Sequence, residues 1–365
     1  MPSLVREFHT TSGKVLAAIS IYLAGLALGQ LIYGPGSDRY GRKPLLIACV
    51  VTFTLGSGCC ALANGMTAFL GGRLLQALGA GAGATLSRAM IRDVYGKEGS
   101  AAAIGYTVMA ATVAGGIASV AGGILDEYGG WRATFWFLVI LGVALAIICS
   151  VRLKETRLDS PRPTSSRPFA GYARLLVSRT FLRHTVFASC LYGCWYAFVS
   201  GVPLVAVGTW RMPADKFALW WMVGSACYVA GNFLAGRYSR ALGSQRMIAY
   251  GSVLVVAGAS ALLASAVVDV KYPLALFGPM GILLVGFGIS QPSAVTGAMG
   301  TDPAMIGAAS ALLGSTQIVV GMASITLIGA LPATSALSVA IVCSSMTFAA
   351  VAGYIALSER MPSRI

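Results

Sequence analysis

Arg73 stands about two turns inside an apolar run, at a depth that no carboxylate of the chain shares. The acids are Glu7, Asp38, Asp93, Glu98, Asp126, Glu127, Glu155, Asp159, Asp215, Asp269, Asp302 and Glu359, and each falls in a loop or at the end of an apolar run. A guanidinium that meets lipid costs roughly 2.5 kcal/mol or more, so Arg73 is expected to face neighbouring helices, with Gln76 following it in an R-x-x-Q spacing. Snorkelling to the outer interface is the alternative. A second concentration of charge lies in Gly29–Leu46, read as G-Q-L-I-Y-G-P-G-S-D-R-Y-G-R-K-P-L-L. There Asp38, Arg39, Arg42 and Lys43 separate two long apolar runs, and Gly34, Gly36 and Gly41 permit the backbone to turn at once. The remaining candidates are uncharged. Tyr192, Trp195 and Tyr196 share a helical face at i, i+3 and i+4, and Asn232 follows Tyr228 in the next run. Aromatic walls of this kind suit amphipathic or cationic organic molecules. Gln30, Gln291 and Gln317 are amides within apolar runs, able to bond a ligand or a neighbouring helix. Trp210, Trp220 and Trp221 sit at run ends and read first as interfacial anchors. The eight Cys and two His form neither a disulfide framework nor a metal motif.

These residues are carried by a chain that is 57% hydrophobic and 10% charged, which excludes a soluble globular class. Apolar runs of bilayer length recur throughout, near 15–34, 44–64, 67–89, 100–125, 132–152, 181–207, 215–236, 246–268, 273–297, 304–330 and 332–357. That predicts eleven spans in an all-helical membrane protein. If the turn after Tyr33 is cytoplasmic, 19 Lys and Arg fall on cytoplasmic segments and six on the other side, with Arg73 inside. Topology thus accounts for the net charge of +14, and no basic–aromatic soluble domain points to nucleic acid. The expected division is a five-span bundle at 1–151, a Pro-, Ser- and Arg-rich cytoplasmic linker at 152–180 and a six-span bundle at 181–365.

The halves repeat. Gly29, Gly34, Ser37 and Gly41 match Gly231, Gly236, Ser239 and Gly243 without gaps, and Gln30 faces Asn232. The same offset of 202 residues leaves only residues 1–5 as counterpart of the span at 181–207. Met1-Pro2-Ser3-Leu4-Val5 resembles the end of that helix, Val202-Pro203-Leu204-Val205, so a first transmembrane helix is expected to be missing.

The Gly29–Leu46 hairpin resembles the signature between the second and third helices of major facilitator transporters, in the form found in the Bcr/CflA drug-resistance branch of the drug:proton antiporters. Arg73-Leu74-Leu75-Gln76-Ala77-Leu78-Gly79-Ala80 is similar to a second signature of that branch, with Ala77 where Gly is usual. The run through Arg88 to Arg92-Asp93, and Gly130-Trp131-Arg132 before Phe135-Trp136-Phe137, resemble its fourth helix and its fifth-to-sixth loop. Ala118-Ser119-Val120-Ala121-Gly122-Gly123 departs from the antiporter motif, with Ser119 in place of Pro. The resemblance implies two pseudo-symmetric helical bundles, with 11 spans (5+6) instead of 12, in the bacterial inner membrane. It implies export of drug-like small molecules by proton antiport and alternating access, with no cofactor and the proton as coupling ion. The branch carries its proton-binding carboxylate on the first helix. Arg73 and Gln76 would serve coupling. Asp38 would approach the start of the helix near Asp302-Pro303, and Arg39, Arg42 and Asp93 would complete a charge network closing the inner side. Alternatively these charges set topology alone. A substrate cavity would draw on Gln30, Tyr192, Trp195, Tyr196, Asn232, Gln291 and Gln317. The expected protein is a monomer, with its C-terminus cytoplasmic and its N-terminus outside. Other readings are an exporter of an amino acid or sugar, or a truncated form that transports nothing. A membrane enzyme is disfavoured, since no Asp, His or Cys cluster marks either face.

Overall fold

The computed structural model describes residues 12–157, 170–268, 272–331 and 335–358, and all regular structure among them is helical. Met1–Val5 and the acids Glu7, Asp159, Asp269 and Glu359 lie outside the described residues; at Ser119 and Asp215 only the helical backbone is described.

The helices are α1 (Ser12–Tyr40), α2 (Arg42–Ala61), α3 (Met66–Arg152), α4 (Ala170–Val177), α5 (Arg179–Pro203), α6 (Ala214–Leu242), α7 (Ser244–Val267), α8 (Pro273–Met299), α9 (Ile306–Ala330) and α10 (Ala336–Ala356). A π turn, Leu204–Thr209, extends α5, and a 3₁₀ turn, Pro303–Met305, precedes α9. As one straight rod, the 87 residues of α3 would run about 130 Å, over four hydrocarbon thicknesses. Gly96 and Gly130 interrupt it with positive φ of 62° and 67°, dividing it into limbs 66–95, 97–129 and 131–152. These limbs contain the separate spans expected at 67–89, 100–125 and 132–152.

Nine helical stretches among the described residues are long and apolar enough to cross a membrane. One of them, Met66–Ala118, takes in most of two expected spans, and the expected span at 15–34 lies in α1, outside the nine.

Two compact units divide the chain. The first comprises residues 1–94, 113–172 and 302–315. Within it small residues let backbones approach. Gly25 and Gly29 of α1 lie on Leu74, Ala77 and Leu78 of α3, and Gly56 of α2 lies on the backbone of Gln76. Phe69, Trp131 and Phe135 pack edge to face at 5.4–5.9 Å around Cys60 and Ala63.

The second unit comprises residues 95–112, 173–301 and 316–365. Here α7 meets α8 through Gly251, Gly258 and Gly286, where a Cβ would strike backbone or Ser290. Pro279 inside α8 leaves the Ala275 carbonyl without its helical donor, and Ser265 of α7 donates its hydroxyl there at 2.8 Å. Gly231 of α6 lies on Val285 and Gly288 of α8, fixing the depth at which Asn232 enters the core.

Candidate functional site

The charge cluster of the first unit forms where α1 ends and α2 begins. Gly41, at φ 103°, reverses the chain and leaves Asp38 and Arg42 on adjoining turns. Arg42 Nη1 donates to Asp38 Oδ1 at 2.6 Å and to Ser37 Oγ, while Nε donates to Asp93 Oδ2 at 2.9 Å. Asp38 and Arg42 are only 6% and 3% exposed, so the pair is desolvated and depends on complete hydrogen bonding. Asp38 obtains the rest from α9: Oδ1 accepts the Gly307 amide at 2.9 Å and Oδ2 the Ala308 amide at 2.8 Å. Amides in the first turn of a helix lack internal partners and favour an anion. Asp302 does not compete, because its carboxylate accepts from Ala304 in the 3₁₀ turn instead. Burial pushes the Asp38 carboxyl up from the ordinary carboxylate range, against the opposing pull of Arg42 and the Ala308 and Gly307 amides.

Arg39 is not drawn into this cluster. It is exposed and lies 5.6 Å over the Tyr40 ring. Glu155, which the sequence did not single out, takes part instead. Its Oε1 accepts the Arg42, Thr156 and Arg157 amides at 2.9–3.0 Å, and Oε2 accepts Lys43 at 3.2 Å. It thereby caps α2, whose N-cap Gly41 has no side chain to do so. Burial pushes the Glu155 carboxyl up, but these four amides outweigh it and hold it below the usual range.

Deeper in the same unit, Arg88 Nε donates to Ser310 Oγ at 3.2 Å, and Ser310 donates to the Thr85 carbonyl at 3.0 Å. Gln30 lies against Gly314 with its Oε1 buried and unpartnered among the described residues.

Arg73 is half-buried and its charge is spread over π faces, 4.2 Å above Tyr22 and 6.0 Å from Phe135. Its Nη1 donates to Gln76 Oε1 at 2.6 Å, and Gln76 Nε2 passes the chain on to Ser57 Oγ at 2.8 Å. The R-x-x-Q spacing therefore places the amide where it orients the cation.

In the second unit Tyr192, Trp195 and Tyr196 lie in one aromatic cluster. Tyr192 meets Phe287 edge to face at 5.6 Å, Tyr228 contacts Phe287 at 5.3 Å, and Trp195 stacks on Tyr228 at 6.3 Å. Tyr196 covers Gly321. Trp221 belongs here too, 6.0 Å from Trp195, although its place near a span end suggested an anchor. Phe287 escaped the sequence because α8 is buried along most of its length and nothing marks one Phe among its apolar residues. Asn232 returns Nδ2 to the Tyr228 carbonyl at 2.9 Å and leaves Oδ1 unpartnered among the described residues. Both side-chain polar atoms of Gln291 are likewise buried without a described partner. Gln317 is 3% exposed and lies on α9 in this unit.

A profile described as the Major Facilitator Superfamily matches residues 1–326. The chain is 30% identical over 340 residues to the uncharacterized MFS-type transporter YdgK of Bacillus subtilis, covering 90% of this chain and 82% of that protein. It is 27% identical to the multidrug resistance protein MdtL of Escherichia coli, over 87% of this chain and 80% of MdtL. The bicyclomycin resistance protein homolog of Haemophilus influenzae is 24% identical, with the same two shares. Among solved structures, the proton:xylose symporter XylE aligns with a TM-score of 0.77 at 14% identity, over 98% of this chain and 90% of that one. A bacterial homologue of the iron transporter ferroportin aligns at 0.78 and 12%, over 98% and 93%. At such identities the structural likeness speaks for the fold.

Proposed function

This chain belongs to the Major Facilitator Superfamily, a family of membrane transporters rather than enzymes, and from that premise we propose that it exports drug-like molecules in exchange for protons. The resistance proteins among its relatives support the substrate class. The observation that carries proton coupling is Arg73, a cation within a span, laid on Tyr22 and tethered to Gln76. A charge at that depth is stable only with such partners, and its interaction with any acid that approaches it changes with that acid's protonation. Arg73 and Gln76 form the cationic side of the coupling pair.

The cytoplasmic gate is the Asp38–Arg42–Asp93 cluster, closed on the amides of α9. Alternating access requires a contact that one state makes and the other breaks. The tie of Asp38 to Gly307 and Ala308 has that character, since one carboxylate holds two amides 269 and 270 residues away. In the second unit the substrate contacts are Tyr192, Trp195, Tyr196, Asn232, Gln291 and Gln317, where the orphaned amide atoms of Asn232 and Gln291 offer hydrogen bonds to a guest beside the aromatic rings. In the first unit the candidate is Gln30, with its buried Oε1. The working protein is a monomer of two bundles, 1–151 and 181–365, joined by the linker 152–180, in the bacterial inner membrane. Its C-terminus is cytoplasmic and its N-terminus outside.

Efflux of ethidium and a panel of antibiotics from proteoliposomes under an imposed pH gradient tests this reading. Arg73→Ala is expected to lower gradient-driven efflux at least a hundredfold with normal insertion. Undiminished gradient-driven efflux by that variant would refute the coupling role.

A further inference from the structure

Pro35 lies inside α1, three residues before Asp38, and has no N–H to give. The carbonyl it leaves bare is that of Leu31, one turn back. That carbonyl is not left open: Tyr172 donates its phenol hydroxyl to it at 2.6 Å from 141 residues away. Tyr172 belongs to α4, the eight-residue helix at the end of the linker. Its neighbour Gly171 lies against Met305, where a Cβ would come 2.8 Å from the sulfur. Met305 ends the 3₁₀ turn that leads into α9, two residues before the first amide that Asp38 binds. Two successive linker residues thus lie against both partners of the inner latch, the Leu31–Pro35 turn before Asp38 and the 3₁₀ turn before Gly307.

We propose that Tyr172 is a positioning residue for this latch: its hydroxyl holds the helical turn from Leu31 to Pro35 and so aims Asp38 at the α9 amides. The proposal rests on the gate reading given above. Burial and the Asp38 carboxylate nearby both push the Tyr172 phenol up, so it remains a protonated donor at physiological pH. The bare carbonyl at Pro279 is satisfied differently, by Ser265 on the adjacent transmembrane helix. Of these two prolines, Pro35 is the one whose bare carbonyl takes its donor from the linker, which makes the closed state of the latch depend on how the linker is seated.

Hydrogen exchange of the 302–312 segment in the full-length protein reads the latch directly, because Gly307 and Ala308 are its donors. Tyr172→Phe keeps the ring and removes only the hydroxyl. It is expected to speed exchange of those amides roughly fivefold, the size of one net hydrogen bond. Asp38→Asn, measured alongside, is expected to speed it more. In a Pro35→Ala background, where residue 35 can supply its own N–H to Leu31, Tyr172→Phe is expected to add nothing. Should Asp38→Asn speed exchange and Tyr172→Phe not, Tyr172 has no such role. An equal effect of Tyr172→Phe with and without Pro35 would also overturn the proposal, since the hydroxyl would then act elsewhere. If Asp38→Asn itself changes nothing, the gate reading falls and this inference with it.

Discussion

Gly41 and Gly243 sit at matching places in the two sequence halves, and the chain turns at them with nearly the same backbone. Their φ/ψ values are 103°/159° and 80°/154°, and each N–H returns to a serine carbonyl, Ser37 at 3.2 Å and Ser239 at 3.0 Å. The side chains then part ways. Asp38 corresponds to Arg240, and Arg42 to Ser244. Ser37 receives a guanidinium, whereas the Ser239 hydroxyl is buried without a described partner. Glu155 caps the helix after Gly41, and no such cap is seen after Gly243 among the described residues. Sterics preserve the turn because only glycine fits those angles at little cost. Charge is free to diverge, and here it builds a latch on one turn and leaves the other a plain reversal.

The comparison breaks most sharply at Asp38. Asp38→Asn strips a buried guanidinium of one partner and weakens the hold on two amides, a loss of about 3 kcal/mol or more for the closed state. Transport is expected to fall at least tenfold, while Arg240→Gln changes it less than twofold; equal losses would mean that both turns act as gates.

A smaller difference is expected at the glycines. Gly243→Ala carries the left-handed strain alone, about 1–2 kcal/mol, because a Cβ there meets nothing within 4 Å. Gly41→Ala adds displacement of Glu155, whose Oε2 would lie 2.6 Å from the new Cβ. Thermal unfolding in detergent should rank Gly41→Ala as the more damaging, and the reverse order would deny Glu155 its capping role.

Glu155→Gln should cost the least, about 0.3–1 kcal/mol at low salt for an exposed carboxylate at a helix start. Its pH dependence follows from the depressed pKa. The stabilisation is complete above the unfolded value of 4.5 and is lost as pH falls through the lower folded value. The gap between Glu155→Gln and the parent protein is therefore expected to hold steady while the pH stays above the unfolded value and to shrink once it falls below it.

Much of this architecture is legible in hydropathy, because bilayer length fixes how long an apolar run must be. Even the interruptions of α3 at Gly96 and Gly130 fall between expected spans. The family resemblance put Asp38, Arg42 and Asp93 in one charge network, and the i, i+3, i+4 spacing brought Tyr192, Trp195 and Tyr196 together. What stayed hidden depends on tertiary placement. Glu155 and Tyr172 reach backbone atoms more than a hundred residues away, and neither sits in a pattern that announces a backbone acceptor or donor. Arg39 shows the reverse: the same resemblance put it in the network, but the residue next to Asp38 on a helix points about 100° away.

The bare carbonyl of Ala275 bears on biosynthesis. Its hydroxyl donor, Ser265, lies ten residues earlier and leaves the ribosome first. An unsatisfied carbonyl would resist entry into hydrocarbon. Delivered together, α7 and α8 carry the remedy with them, so the translocon can release them into lipid as a finished hairpin.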